Sequence, residues 1–498
     1  MDTDNELNTT DSKIKRECND RSLFVYEKNL YELLAHCPKC GAFVDRSMIK
    51  EVKNNGSQLC LKFTCFNECK VEWSSQPTVG RLKGLGNLFI SSSIAFSGIP
   101  FAKFQRFAYI VNLKLFSDVT YYEIKKNYIV PVVRQKWNSE RRKMIKLSLS
   151  RENLLLVGDG RCDSPGHNAK YCTYTFLELE SGCVVDTTFI PVTEVTNSNC
   201  MEKAGFIHLL KKFKKAGLNI SVISTDRHPQ IRKVFKVDPR FNDINHQFDP
   251  WHVAKSIRKK MMKASKNTNL KDLHEWIPAV INHFWWSIET SKKNPQLMYE
   301  KFCSLLYHIR NIHKWGGYKY FKKCEHEPYS HQEEEERNWL DASSDSFKYL
   351  VKIVKNKSLK KTMKHLTEAV HTCAVEVFNN LLLKYIPKQY HFEYEHMEMG
   401  GLLAALDHNF NAGRFFALDC NGDVKYRVAW RKASKKFIAR KVKKHKRYDY
   451  LLIMKKSVFK RAETGAQRTS KKRVTAPTPI ETKNNLIARS KKVARFSY

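Results

Sequence analysis

Between residues 151 and 250 apolar positions alternate with polar ones; on both sides of that stretch they recur at every third or fourth position. The alternating part predicts strands and the flanks predict amphipathic helices. The predicted strands are Asn153–Asp159, Tyr171–Leu179 and Cys183–Ile190, with Glu180-Ser181-Gly182 as the hairpin turn between the last two. A helix over Met201–Lys215 follows, with Ala204, Ile207, Leu210 and Phe213 on one face. Then come a strand over Asn219–Thr225, a short helix over Pro229–Phe235 and a strand over Ile244–Phe248. Before this block, residues 85–150 carry the helical period, with Thr120–Glu123 as an expected capping box and Pro131 as an expected kink or break. After it, the helical period runs to about 390 and returns in the apolar stretch Leu402–Phe416.

Three strands joined by hairpins, then helix, strand, helix and strand, is the order of a ribonuclease H-like core. In that fold the ends of strands one and four lie side by side, so Asp159 and Asp226 are expected to meet. The first strand, LLLV, runs into Gly158 and Asp159, with Arg161 and Asp163 just beyond; the fourth stops at Asp226 in TDRH. Alone, each acid reads as turn chemistry. A buried strand gains no stability from a carboxylate at its end, whereas a divalent-metal site needs one.

Four cysteines have a pattern of their own. Cys37-Pro-Lys-Cys40-Gly41 is a tight thiol-bearing turn, and Cys65 and Cys69 form a second pair. Two such pairs compose a tetrahedral Cys₄ zinc site of the ribbon type, with Cys60 left as a packing thiol. His308, His313, Cys324, His326 and His331 are dense as well, but their spacing fits no standard metal site. Trp276, Trp285 and Trp286 read as core rather than as base-stacking surface, and Glu333–Glu336 as a solvated face.

Charge decides the class of partner. Across 498 residues, 88 Lys and Arg stand against 50 Asp and Glu, a formal charge of +38. Nucleic acid is the expected partner, because basic groups that neutralise phosphates release counterions. The rival, an anionic membrane, finds no apolar run of spanning length and no secretory signal in MDTDNELNTT. Fourteen Cys without such a signal imply a reducing compartment. The segment from 421 holds 25 Lys and Arg against four acids, and its RKASKKFIARKVKKHKR and SKKR runs read as phosphate-binding and nuclear-import sequences. The expected organisation is a disordered arm (1–30), a zinc ribbon (31–80), a helical domain (81–150), the first part of the core (151–250), a helical region (251–395), a last helix (396–420) and a basic tail (421–498).

GDGRCDSPG, YCTYT, EVTNSNCMEKAGF, TDRH, FDPWHVAKSI, NHFWW and LAALDHN together resemble a transposase-derived family of animal genomes akin to DDE transposases of the Kyakuja–Dileera–Zisupton kind. The resemblance covers about 31–455. It implies an α/β ribonuclease H-like core with a mixed five-stranded sheet, split by a large all-α insertion. It also implies three carboxylates that hold two Mg²⁺ or Mn²⁺ ions. Asp159 and Asp226 match the first two acids. Asp407, followed by Asn409, is the expected third, with Glu395, Glu398 and Asp249 as alternatives; Glu is usual there, and this position has Asp. The Cys₄ pair is not the THAP finger that members often carry.

On this reading the protein is a nuclear enzyme that cuts and joins DNA by two-metal phosphoryl transfer, with Zn²⁺ in the ribbon. Arg161, His228 and Lys255 would hold the phosphate or position the nucleophile, and the chain could act as a homo-oligomer. The alternative is a domesticated, catalytically silent DNA-binding zinc protein. An RNA-binding role lacks an aromatic RNA motif.

Overall fold

The computed structural model describes residues 20–80, 84–164, 168–432 and 435–465. Most of the expected arm (1–19) and the SKKR run lie outside the described residues. The protein is mixed α/β and divides into two compact units, one of residues 1–143 and 380–498 and one of residues 144–379. Among the described residues no helix is long and apolar enough to cross a membrane.

The first unit opens with a three-stranded antiparallel sheet, β1 (Lys50–Asn55), β2 (Gln58–Thr64) and β3 (Lys70–Ser74), in that order. Leu34, Val44, Ile49, Leu61, Phe63 and Val71 give it a small core of its own. Helices Leu85–Ser97 and Phe101–Ile110 follow. The next helix starts at Asp118, because Ser117 caps it by accepting from the Thr120 amide at 3.3 Å; the box expected from Thr120 lies inside the helix. Pro131 does not break the helical run. A π-helical stretch, Lys125–Ile129, comes immediately before it and leads into Val130–Leu149, and such a widened turn relieves the clash and missing donor of a proline.

In the second unit a five-stranded mixed sheet is formed by β4 (Leu154–Cys162), β5 (Tyr171–Glu178), β6 (Val184–Pro191), β7 (Ile220–Thr225) and β8 (Asn245–Phe248), in the order β6-β5-β4-β7-β8. β5 is antiparallel to β4 and β6, while β7 is parallel to β4 and β8. The β5–β6 turn is the expected one. Glu178 accepts from the Glu180 and Ser181 amides at 2.8 and 2.7 Å, and Gly182 takes the positive φ of 65°. Helix α1 (Met201–Lys215) lays Phe206, Leu209, Leu210 and Phe213 against Leu154, Leu156, Tyr174 and Phe176. Beyond the sheet, α2 (Pro250–Ala264) and the helices Leu273–Glu289, Pro295–His308, Asp345–Val354 and Lys357–Met363 share a separate core that includes Ile257, Met261, Phe284, Phe302 and Leu350. Trp276 and Trp285 pack against that core, as their pattern suggests. The unit ends within helix α3 (Cys373–Tyr385).

The first unit resumes after Asn379. Helix Tyr394–Asn411 starts close to the expected 396, ahead of the apolar stretch from Leu402, and ends before the expected 420. The stretch from 421 is not a featureless basic tail. It holds an antiparallel hairpin, β9 (Tyr426–Arg431) with β10 (Lys436–Lys441), then helix Asp449–Glu463. That helix buries Tyr450, Met454, Val458 and Phe459 within the unit, so these four are core rather than solvated chain, while Leu452 and Ile453 stay exposed.

Candidate active site

The parallel pairing of β4 and β7 ends with Gly158 opposite Thr225. Asp159 and Asp226 are the next residue on each strand, so the two acids occur at the same end of the sheet. β4 is longer than the alternation predicts and runs on to Cys162 against β5 alone. Asp159 therefore lies inside a strand rather than at its tip. Because side chains alternate, Gly158 and Gly160 share the face that α1 covers and Asp159 takes the other. A Cβ at Gly158 would stand 2.6 Å from Phe176 Cε1, and one at Gly160 would collide with Glu202 Cγ. The two glycines flanking Asp159 are thus demanded by packing on the α1 side.

Asn379 of α3 donates from Nδ2 to Asp159 Oδ2 at 2.7 Å, and its main-chain carbonyl accepts from Arg161 Nη1. Burial, then the charges of Asp226 and Glu376, push the Asp159 carboxyl up to about 7, against an opposing pull from His252. Glu202, in the first turn of α1, is pushed to about 8 by burial and by Asp159 and Asp226. Like charges crowded in a poorly solvated place favour bound protons unless a cation takes their place.

His252 of α2 is the nearest base. Its Nε2 lies 3.0 Å from Asp226 Oδ1 and 3.7 Å from Glu376 Oε1. The Asp226 carboxylate beside it raises its pKa. The same nitrogen is buried, so beside the Asp226 carboxylate it favours a bound proton, and only its neutral form offers a lone pair to a ligand. Asp226, Asp249 and His252 each bring a donor atom within 4.8 Å of the others. Asp249 has other duties: it accepts from the Trp251 amide at 2.8 Å as the cap of α2, and from the Thr372 amide at 3.2 Å and hydroxyl at 2.5 Å. Those bonds fasten the start of α3 to the end of β8.

The other expected residues are distributed as follows. His228 immediately precedes the helix Pro229–Val237 and faces Glu202 Oε2 from 3.7 Å, with its pKa lowered by burial. Lys255 is exposed, and its ammonium sits over the Trp251 ring at 4.4 Å. Glu395 and Glu398 belong to the other unit, where both pair with Arg134. Asp407 belongs there too. Its fully buried carboxylate accepts from Lys446 Nζ at 2.9 Å, Tyr385 Oη at 3.0 Å, Asn411 Nδ2 at 3.3 Å and Lys384 Nζ at 3.4 Å. Burial works to raise its pKa, but Lys446 and Lys384 hold it below the usual value.

Four residues at the acid cluster were not expected: Glu202, His252, Glu376 and Asn379. A signal for the last two was present in the chain. Glu376-Val-Phe-Asn379 puts an acid and an Asn on one helical face, the acid-then-Asn pattern that Asp407 and Asn409 suggested further along.

The cysteines converge as their spacing predicts. Cys37 and Cys40 flank a turn closed by the Gly41 amide on the Cys37 carbonyl at 2.8 Å, with Gly41 at φ 73°. Cys65 follows β2 and Cys69 precedes β3. All four sulfurs lie within 4.8 Å of one another, so this Cys₄ group could hold a metal such as zinc. Cys60 lies outside the group.

Comparison with protein-family models gives no match, and comparison with curated proteins gives none.

Proposed function

We propose that the protein is a DDE-type nuclease of transposase descent, built on a ribonuclease H-like core with a helical insertion, and that it cuts and joins DNA strands. The observation that carries the reading is the position of Asp159 and Asp226 just past the last pair of two parallel strands, with His252 between Asp226 and Glu376. Two acids stand at equal height on neighbouring parallel strands, and Asp159 is raised to about 7 partly by the charge of Glu376. In this reading Glu376 takes the role expected of Asp407, whose oxygens are already engaged by two ammonium groups and a phenol.

The donor set fits hard divalent cations such as Mg²⁺ or Mn²⁺, being carboxylate oxygens with one imidazole at hand. Asp159, Asp226 and Glu376 would hold the ions, with His252 as a fourth donor. Such a pair supplies an activated water or 3′-hydroxyl and a stabilised leaving oxygen. The residues around it have their own tasks. Asn379 holds the Asp159 carboxylate, and Arg161 ties the main chain of α3 at Asn379 to β4. Glu202, in the first turn of α1, adds a further partly buried acid beside Asp159 and Asp226. The chain's charge of +38 draws the phosphate backbone in.

The test is nicking and end-joining of supercoiled DNA by the purified chain in Mg²⁺ or Mn²⁺. Asp159→Asn and Glu376→Gln should each abolish product, while Asp407→Asn retains it. A wild-type chain that binds DNA in a salt-sensitive way, yet neither cuts nor takes up Mn²⁺ at these acids, would overturn the reading in favour of a silent DNA-binding protein.

A further inference from the structure

A second group of metal-type donors lies among the helices of the second unit, away from any role in the proposed reaction. Helix Pro295–His308 ends in His308. The chain then reverses through Asn311, at a left-handed φ of 56°, and returns as a short ladder. Lys314 bridges Lys323, and the Cys324 amide donates to the His313 carbonyl at 2.9 Å. That ladder sets Cys324 beside His313 and brings His326 back over the helix end.

The three imidazoles stand around one point. Ring centroids are 5.2 Å apart for His308–His313, 5.1 Å for His308–His326 and 5.0 Å for His313–His326, with interplanar angles of 74°, 82° and 89°. Cys324 Sγ lies 3.5 Å from His308 Nδ1, and one donor atom from each of the four residues lies within 4.8 Å of the rest. A tetrahedral zinc ion, with bonds of about 2.0–2.3 Å, spaces neighbouring donors roughly 3.3–3.7 Å apart. Packed hydrophobic side chains have no reason to aim four lone-pair donors at one spot.

The outer partners choose which nitrogen faces inward. His313 Nε2 is 2.8 Å from Asn311 Oδ1, while its Nδ1 is buried with no hydrogen-bond partner. His326 Nδ1 is 2.6 Å from the Glu327 carbonyl, so it carries the proton and leaves Nε2 free to ligate. Metal-binding histidines characteristically donate their other ring N–H to a carbonyl in this way. Tyr329 stacks on His326 at 4.5 Å, and Trp339 stands 6.0 Å from His308 and 6.1 Å from His313, an aromatic wall on one side of the site. His331, the remaining histidine of the sequence cluster, is exposed and pairs with Glu335 instead.

We infer that His308, His313, Cys324 and His326 form a second, closed Zn²⁺ site that pins the 309–329 loop to the end of helix Pro295–His308. Four protein donors leave no open position, so the site is structural rather than catalytic. It is separate from the Cys₄ group and from the acid cluster, and it stands whether or not the chain cuts DNA.

The experiment is elemental analysis of the full chain purified without added metal, with X-ray absorption at the zinc edge. The wild-type chain should carry two zinc equivalents, with nitrogen as well as sulfur in the first shell. Cys65→Ser should remove one equivalent and leave a shell of three nitrogens and one sulfur; adding His326→Ala should remove the other. If the double variant fails to fold, the shell of the Cys65→Ser chain decides the matter alone. Complete loss of zinc in Cys65→Ser, or an all-sulfur shell in wild type, overturns the proposal.

Discussion

Asn379 Nδ2 donates to Asp159 Oδ2 at 2.7 Å, and Asn379 stands one helical turn beyond Glu376 on α3. One bond thus holds the carboxylate of an acid on the sheet to the helix that carries another. Asn379→Ala should weaken Mn²⁺ binding at the acids about tenfold, as the removal of a group that orients a metal ligand does, while stability falls by only about 1 kcal/mol. Mn²⁺ titration followed by electron paramagnetic resonance, beside a thermal melt, checks both. Unchanged Mn²⁺ affinity would remove Asn379 from the site.

The raised carboxyls predict a pH dependence with a definite sign. Asp159 and Glu202 move from ordinary values of 3.8 and 4.5 to about 7 and about 8. Between those limits the folded state holds protons that the unfolded state has released, so stability falls as pH rises. In chelator, the melting temperature of the second unit should therefore drop from pH 5 to pH 8. Mg²⁺ or Mn²⁺ should restore it at pH 8 and do little at pH 5. Asp159→Asn should flatten the profile. A chelated protein that grows more stable across this range would contradict the crowding of acids.

Asp407 gives a prediction of the opposite kind. Its carboxylate is fully buried among Lys446, Lys384 and Tyr385. Removing that charge strands two ammonium groups, which are themselves partly exposed, so the cost should be about 2 kcal/mol rather than the 3–5 kcal/mol of a fully buried pair. Asp407→Asn should lower the melting temperature and leave Mn²⁺ affinity intact. Loss of Mn²⁺ binding without loss of stability would return Asp407 to the metal.

The basic C-terminal region can be tested in parts. A deletion from 421 would remove Tyr450, Val458 and Phe459 from the core of the first unit, so weaker DNA binding by that variant would report misfolding as much as missing charge. Truncation after Gly465 spares those residues and removes nine Lys and Arg against one Glu. The slope of log K against log salt should become shallower by about 0.9 for each phosphate that the removed segment neutralises. An unchanged slope would assign phosphate binding to the folded basic surface.

The sequence by itself determined the local order. Period-two alternation located all five strands of the second unit to within a few residues, because one register error would turn every buried side chain to the wrong face. Cysteine pairing at turn spacing located the thiol cluster, because such a turn brings its two sulfurs together whatever surrounds them. The placing of Asp159 and Asp226 was legible for a similar reason, since each directly follows the last parallel pair of its strand. Tertiary structure decided what depends on long-range packing. Nothing in the local pattern distinguishes Glu376 from Asp407, as both are acids on apolar helices. They differ only in their neighbours: Asp159 and His252 around the one, Lys446 and Lys384 around the other. The histidine cluster was opaque for the same reason. His308 and His326 lie on different elements, and only the reversal at Asn311 and the ladder through His313 and Cys324 bring their nitrogens to a common point.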